Sequence, residues 1–160
     1  MQAGTATFER FRICENGRLK SYLGLNPTTQ PSSMSSHSEF KFDVRVTTQF
    51  LDEQSDKEKG PYVFAYTIEI KNVGRATAQL LSRHWIIVDA HNITQEVRGD
   101  GVVGEQPTLR PGERFEYTSG CPLPTPVGTM KGAYTFVSEG GEKFEVEVPE
   151  FLLSMPRVLH

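Results

Sequence analysis

The sequence is poor in cysteine. Its 160 residues include two, Cys14 and Cys121, which are far apart and lie in regions of different character. Two distant cysteines cannot form a disulfide framework or a thiolate metal cluster. We therefore predict that both are free thiols in a reducing, cytoplasmic setting.

Long apolar runs and an excess of basic residues are also absent. No apolar stretch reaches the roughly 18 residues of a membrane span, and the N-terminus lacks the apolar core of a signal peptide. The formal net charge is -3, whereas non-specific nucleic-acid binding needs a basic surface. No membrane or nucleic-acid partner is therefore expected.

Residues 1–38 differ in character from the rest of the chain. Their apolar residues are scattered without a period, and a polar, serine-rich stretch runs from residue 30 to residue 38. Such a composition is typical of a flexible linker because it buries too little surface to order itself. We predict a flexible N-terminal extension and linker over residues 1–38 and one compact domain over residues 39–160. A docking arm is the alternative for the extension.

A period of two in the apolar residues indicates β-strands from residue 39 onward. Phe40 to Val46 alternate with polar neighbours, and Tyr62 to Ile70 repeat the pattern most strongly. No segment shows a helical period. Further strands are predicted over residues 76–81, 83–89, 93–97, 114–119, 130–137 and 143–148. One bent strand is the alternative for the first two, and the last two form a hairpin.

Turn and breaker residues separate these strands. Pro111 and Gly112 occupy the positions typical of a type II turn. Pro122, Pro124 and Pro126 predict an extended loop, since proline cannot donate to a strand ladder. The apolar tail that starts at residue 151 is predicted to pack on the domain. Seven or eight short strands then indicate an all-β fold, an immunoglobulin or fibronectin type III-like antiparallel β-sandwich, with a barrel as the alternative.

Two aromatic residues fit the core of such a sandwich. Residues 132–136 resemble the strand that carries the tyrosine corner of immunoglobulin-like domains, which would assign that role to Tyr134. Trp85, the single tryptophan, fits the core tryptophan of the facing sheet. Generic core packing is the alternative for both.

Seven segments of the sequence match one family: residues 62–68, 79–85, 97–107, 109–113, 115–120, 128–134 and 156–160. Together they resemble the bacterial ApaG proteins. The resemblance implies a fibronectin type III-like sandwich, an association with cobalt and magnesium resistance, and a gene neighbourhood that includes a diadenosine tetraphosphate hydrolase. Similar domains in a eukaryotic F-box protein and in a protein that binds a DNA polymerase subunit imply a protein-interaction role. The family supplies no catalytic residues to transfer.

A glycine pattern between residues 99 and 104 invites a nucleotide-binding interpretation. Gly99, Gly101 and Gly104 fit G-x-G-x-x-G, but that fingerprint needs a helix directly after it. Pro107 and Pro111 follow, so we reject a dinucleotide site. Two interpretations stay open: a backbone nest that binds an anion with help from Arg98, or a shaped β-loop whose glycines adopt positive φ.

The predicted contact surface is this loop together with a neighbouring arginine. The two adjacent valines of the loop either tuck into the domain or form a small apolar contact patch. The candidate binding residues are Arg83, Arg98, Gly99, Asp100, Gly101, Val102, Val103, Gly104, Glu105 and Gln106.

These residues indicate a non-catalytic binding module whose partner is another protein. A phosphate, pyrophosphate or dinucleoside polyphosphate anion is the alternative ligand. His84, Asp89 and His91 lack the spacing of a metal site, so no metal and no cofactor are expected. Ser82 supplies a third residue type for a hydrolytic triad, but no nucleophile elbow accompanies it, so an enzyme is not expected.

Overall fold

The computed structural model describes residues 39–157. The prediction of a flexible extension over residues 1–38 lies outside the described residues. Within the described range a short 3-10 helix (Asp52–Gln54) accompanies eight strands. The strands are β1 (Phe42–Phe50), β2 (Tyr62–Asn72), β3 (Ala78–Asp89), β4 (Thr94–Asp100), β5 (Thr108–Leu109), β6 (Arg114–Leu123), β7 (Val127–Ser138) and β8 (Lys143–Ser154).

The strands form two antiparallel sheets. The first sheet has the order β1-β2-β6, and the second has the order β4-β3-β7-β8 with the short β5 paired to β3. The predicted antiparallel β-sandwich is confirmed, and its two layers are consistent with the immunoglobulin or fibronectin type III-like class. Residues 39–157 contain no helix long and apolar enough to cross a membrane.

β2 is the centre of the first sheet because it pairs with both β1 and β6, and its large apolar residues point to one face. Phe64, Tyr66, Ile68 and Ile70 are buried, and the residues between them are half-buried. The predicted period of two is therefore confirmed for this strand. Burial of one complete face fixes the register, since a slip by one residue would expose the whole apolar set.

β3 is the centre of the second sheet and carries the single tryptophan. Trp85 is 2% exposed, as predicted. Its indole ring makes edge contacts with three aromatic rings, whose centroids lie 5.7 Å (Tyr66), 5.8 Å (Tyr134) and 6.1 Å (Phe151) away. Aromatic residues from both sheets therefore surround the indole ring. The register of β3 against β7 shifts between Leu80 and residue 82, so the two predicted strands of this region are one strand with a bulge.

The prediction of an extended loop around Pro122 is wrong at its first residues. β6 continues through Pro122 to Leu123, which pairs with Tyr62. β6 pairs only with β2, and an edge strand tolerates proline because its outward side needs no hydrogen bond. Pro149 lies in β8, the edge of the second sheet, where the register against β7 shifts. The predicted apolar tail is therefore the continuation of β8.

Tyr134 does not form a tyrosine corner. Its hydroxyl group lies 2.5 Å from that of Tyr117, whereas the tyrosine corner bonds to nearby backbone. Tyr134 is therefore a core-packing residue, which was the alternative to a tyrosine corner. The turn after Leu109 follows its prediction: the Glu113 N–H donates to the Arg110 carbonyl at 2.9 Å, and Gly112 has a φ of 86°.

Candidate binding site

The segment from Arg98 to Gln106, hereafter the glycine loop, was predicted as a loop, but its first three residues are the end of β4. The turn that follows is held by hydrogen bonds to the second sheet. The Gly101 N–H donates to the Leu81 carbonyl at 2.7 Å, and the Gln106 side-chain amide donates to the same oxygen at 2.9 Å. Val102 and Glu105 donate backbone hydrogen bonds to each other at 2.8 and 3.0 Å. The loop is therefore a fixed turn.

The glycines of the loop serve its shape. Gly101 and Gly104 have φ values of 59° and 81°, which favour glycine. A Cβ on Gly101 would lie 2.3 Å from the Glu105 carbonyl oxygen. Both glycines thus have the geometry of the β-loop interpretation.

The two valines of the loop have opposite environments. Val102 is fully buried, whereas Val103 is 40% exposed at the tip. Val103 also has a φ of 46°, a left-handed conformation that is rare for a β-branched residue. Val102 is therefore tucked into the domain and Val103 is exposed to solvent; a contact patch at Val103 stays a prediction.

Arg83 links β3 to the glycine loop. Its Nη1 donates to the Asp100 carbonyl at 3.1 Å and to the Gly101 carbonyl at 2.7 Å. A Cβ on Gly99, the residue opposite Arg83 in β4, would lie 2.9 Å from Nη1. Glycine at position 99 therefore leaves the space in which the guanidinium lies.

Arg98 lies on the other face of the second sheet. It pairs in register with His84, and its Nη2 lies 3.4 Å from Glu96 Oε2. His84 Nε2 lies 3.0 Å from the same oxygen. The hydrogen bond with His84 and the nearby Arg98 charge lower the pKa of Glu96. Because alternate residues of a strand face opposite ways, the structure does not bring Arg83 and Arg98 together.

A cavity of about 380 Å³ lies between the two sheets, bordered by the glycine loop. We call it the intersheet cavity. Four of the predicted residues line it: Arg83, Asp100, Val103 and Gly104.

The opposite wall of the cavity comes from β2 and β6. Tyr66, Tyr117, Ser119 and Cys121 line it, and none of them was predicted as a site residue. No local motif marks them, because the register of two strands far apart in sequence brings them to the cavity. Only the period-two pattern of β2 hinted that Tyr66 faces inward.

The polar groups of this wall are neutral. Burial raises the pKa of Tyr66 and, more strongly, that of Tyr117. Burial also raises the pKa of Cys121 to about 12, so its thiol is a poor nucleophile at neutral pH. At neutral pH the tyrosines are hydrogen-bond donors without charge.

The indole N–H of Trp85 lacks an acceptor. Within residues 39–157, Trp85 Nε1 is the one buried side-chain nitrogen or oxygen atom without a hydrogen-bond partner. Trp85 lines the intersheet cavity. Because Nε1 itself is shielded from solvent, this unsatisfied donor lies within the wall and costs free energy there.

The residues considered for a metal site or a triad lie apart. Asp89 Oδ1 accepts the N–H groups of His91 and Ile93 at 2.8 and 3.0 Å, which fixes the turn between β3 and β4. His84 contacts Glu96 on the outer face instead. The described part of the chain holds no group of three or more His, Cys, Asp or Glu side chains able to bind a metal ion.

Comparison with known proteins places this architecture in a family. The sequence profile described as the ApaG domain matches residues 52–138. The ApaG protein of Thiobacillus denitrificans is 58% identical over 127 residues, which cover 79% of this chain and 100% of the relative. ApaG of Bordetella pertussis is 60% identical over 121 residues, or 76% of this chain and 92% of the relative.

A solved structure agrees with these sequence matches. The crystal structure of a Bordetella pertussis protein named ApaA superposes with a TM-score of 0.73 at 58% identity, covering 76% of this chain and 98% of the other. The sandwich is thus shared with a relative of high identity, and the chain belongs to the ApaG domain family.

Proposed function

We propose that this chain is a non-catalytic module that binds another protein, with the glycine loop as its contact surface and Val103 at the centre. The observation that carries the proposal is a fixed, projecting turn that holds an apolar side chain in solvent. Val103 is 40% exposed in a loop whose backbone is already hydrogen-bonded.

Preorganisation supports this role. Binding by a mobile loop loses free energy because the loop must be ordered, whereas a loop already held in place avoids that cost. Arg83 holds the loop through the Asp100 and Gly101 carbonyls. The unusual φ of Val103 is the kind of local strain found more often at functional sites.

The surroundings of Val103 also fit a protein contact. Gly104, Glu105 and Gln106 are exposed beside it, so polar groups border an apolar centre, as they do in protein interfaces. A partner that covers Val103 would also cover the mouth of the intersheet cavity, since Val103 lines it.

The same loop is less suited to a phosphate anion. An anion nest needs free backbone N–H groups, but those of Gly101, Val102 and Glu105 donate to carbonyl groups. Arg98 lies beside Glu96 and faces away from the cavity. We therefore favour a protein over phosphate or dinucleoside polyphosphate at this surface.

We extend the proposal to the cobalt and magnesium link that the family resemblance implies. A module that binds a cytoplasmic component of ion transport would affect resistance without holding the ion itself. The scattered positions of His84 and His91 are in keeping with such an indirect role.

The test compares two exposed valines. Val73 is 43% exposed in the turn after β2, so it is a matched control for Val103. A photo-crosslinking residue at position 103 is expected to capture a defined partner in cells, and the same residue at position 73 is not. With the photo-crosslinking residue moved to the exposed neighbour Glu105, Val103→Asp is expected to abolish capture and Val73→Asp to preserve it, with both variants melting like the parent.

Growth on cobalt tests the extended proposal. In a strain without its own copy of the gene, the parent chain and Val73→Asp are expected to restore resistance, and Val103→Asp is not. Equal capture or equal growth with the two variants would refute the role of the loop.

A further inference from the structure

We propose that the intersheet cavity is a second binding site, for a small planar aromatic molecule that carries one anionic group. This site goes beyond the proposed protein contact, because its ligand lies between the sheets and not on the loop.

The size and walls of the cavity favour a flat aromatic body. Its volume of about 380 Å³ falls in the range of small-molecule pockets, roughly 300–1,000 Å³. Trp85 of the second sheet and Tyr66 and Tyr117 of the first sheet present rings to it. Aromatic rings pack against one another in stacked or edge-to-face arrangements, so walls of this kind suit a ring better than a flexible chain.

The charge of the wall favours an anion. Arg83 lines the cavity and forms no ion pair with a carboxylate among residues 39–157. Asp100 also borders the cavity, but it offers its backbone carbonyl to Arg83. A carboxylate ligand would therefore meet a guanidinium whose charge no other carboxylate compensates, and charge-assisted hydrogen bonds of this type are strong.

The remaining polar groups are donors or can act as donors. Tyr66 and Ser119 belong to the cavity wall, and a hydroxyl group can donate or accept. Trp85 Nε1 is shielded from solvent and is not one of these groups. A ligand rich in acceptor oxygens would satisfy these groups, whereas a cationic ligand would face Arg83 and gain no carboxylate. Charge and hydrogen bonding thus select the same ligand class.

The sequence provides a built-in reporter for the test. Trp85 is the only tryptophan in the chain, so its fluorescence reports occupancy of the cavity directly. We would titrate the full chain with 2-naphthoate, with neutral 2-naphthamide and with cationic 2-naphthylmethylammonium, using fluorescence and calorimetry. The expected result is one-to-one binding of 2-naphthoate, roughly 10-fold or more tighter than the amide, and no binding of the cation.

Two pairs of variants locate the site. Ser119→Leu is expected to fill the cavity and abolish binding, whereas Thr135→Leu, a similar enlargement on the outer face of β7, keeps it. Arg83→Gln is expected to weaken 2-naphthoate binding roughly 10-fold or more and amide binding much less, since the loop that Arg83 holds also borders the cavity. Arg98→Gln is expected to alter neither.

Several outcomes would overturn the proposal. One is that millimolar 2-naphthoate produces neither a heat of binding nor a fluorescence change. Another is that the Ser119→Leu variant still binds 2-naphthoate tightly. The third is that the anion and the cation bind equally well. None of them bears on the protein contact, which is measured through Val103→Asp, so the two proposals fail separately.

Discussion

The hydroxyl groups of Tyr117 and Tyr134 meet 2.5 Å apart in the space between the two sheets. Tyr117 belongs to β6 of the first sheet and Tyr134 to β7 of the second. Their exposed fractions are 6% and 0%, so each hydroxyl group finds a hydrogen-bond partner in the other. The pair is a polar link between the two sheets.

Removing one hydroxyl group of this pair should cost more than removing both. Tyr134→Phe is expected to lower the free energy of unfolding by about 1–3 kcal/mol, because the Tyr117 hydroxyl is then buried without a partner. The double variant Tyr117→Phe with Tyr134→Phe should recover part of that loss. Urea unfolding of the four proteins completes the cycle, and a double variant equal to the sum of the singles would contradict the coupling.

Stability should also fall at high pH because of these tyrosines. Burial raises the pKa of both groups. The unfolded chain therefore releases their protons near pH 10, while the folded chain retains them. The unfolded state then binds fewer protons, so the free energy of unfolding decreases as pH rises above about 10. Melting temperatures between pH 8 and pH 11 measure this effect, and the double phenylalanine variant should show a shallower decline.

Gly132 should tolerate no larger residue. A Cβ at this position would lie 2.1 Å from the His84 carbonyl oxygen and 2.7 Å from Trp85 Cε3. Gly132→Ala is expected to destabilise the chain by about 3 kcal/mol or more, through displacement of two central strands. Gly120 is the matched control, since its Cβ would meet only the Phe64 carbonyl oxygen at 3.8 Å. Gly120→Ala should change stability by about 1 kcal/mol or less, and equal effects in chemical unfolding would rule out the steric explanation.

Asn72 should be essential as an amide. It is fully buried, and its Nδ2 donates to the Ala76 and Leu109 carbonyls at 2.8 and 2.9 Å. Asn72→Asp would place a carboxylate against two carbonyl oxygens, at an expected cost of about 3–5 kcal/mol at pH 7. The loss should be smaller at pH 4, where the acid is protonated and can donate. Asn92→Asp, at an exposed turn residue with a φ of 61°, should have little effect in the same melting assay.

The sequence predicted the layers of the sandwich because burial of one strand face leaves a visible period. The alternation around Tyr66 in β2 correctly assigned its inward face, and the single tryptophan correctly marked the centre of β3. Glycines at positions 101 and 104 correctly predicted a shaped loop, since their φ values follow from local sterics. Features that depend on neighbours along the chain could therefore be predicted from the sequence.

Features that depend on pairing between distant strands could not be predicted from the sequence. In the sequence Asn72 has the pattern of an ordinary turn residue. In the structure it is buried, and its side-chain amide donates a hydrogen bond to the carbonyl of Leu109, far along the chain. Pro122 predicts the end of a strand, but β6 is an edge strand and tolerates it. The intersheet cavity exists because β6 faces β3 across the core. No motif in either strand predicts that the two strands come together.

The prolines of β6 and β8 have a consequence for how copies of this chain behave at high concentration. An open strand edge is a template on which a second molecule can add its own strand, and repeated addition leads to fibrils. Pro122 and Pro149 remove one N–H donor from an edge of each sheet. At the β6 and β8 edges the row of donors that a templated strand would need is therefore interrupted.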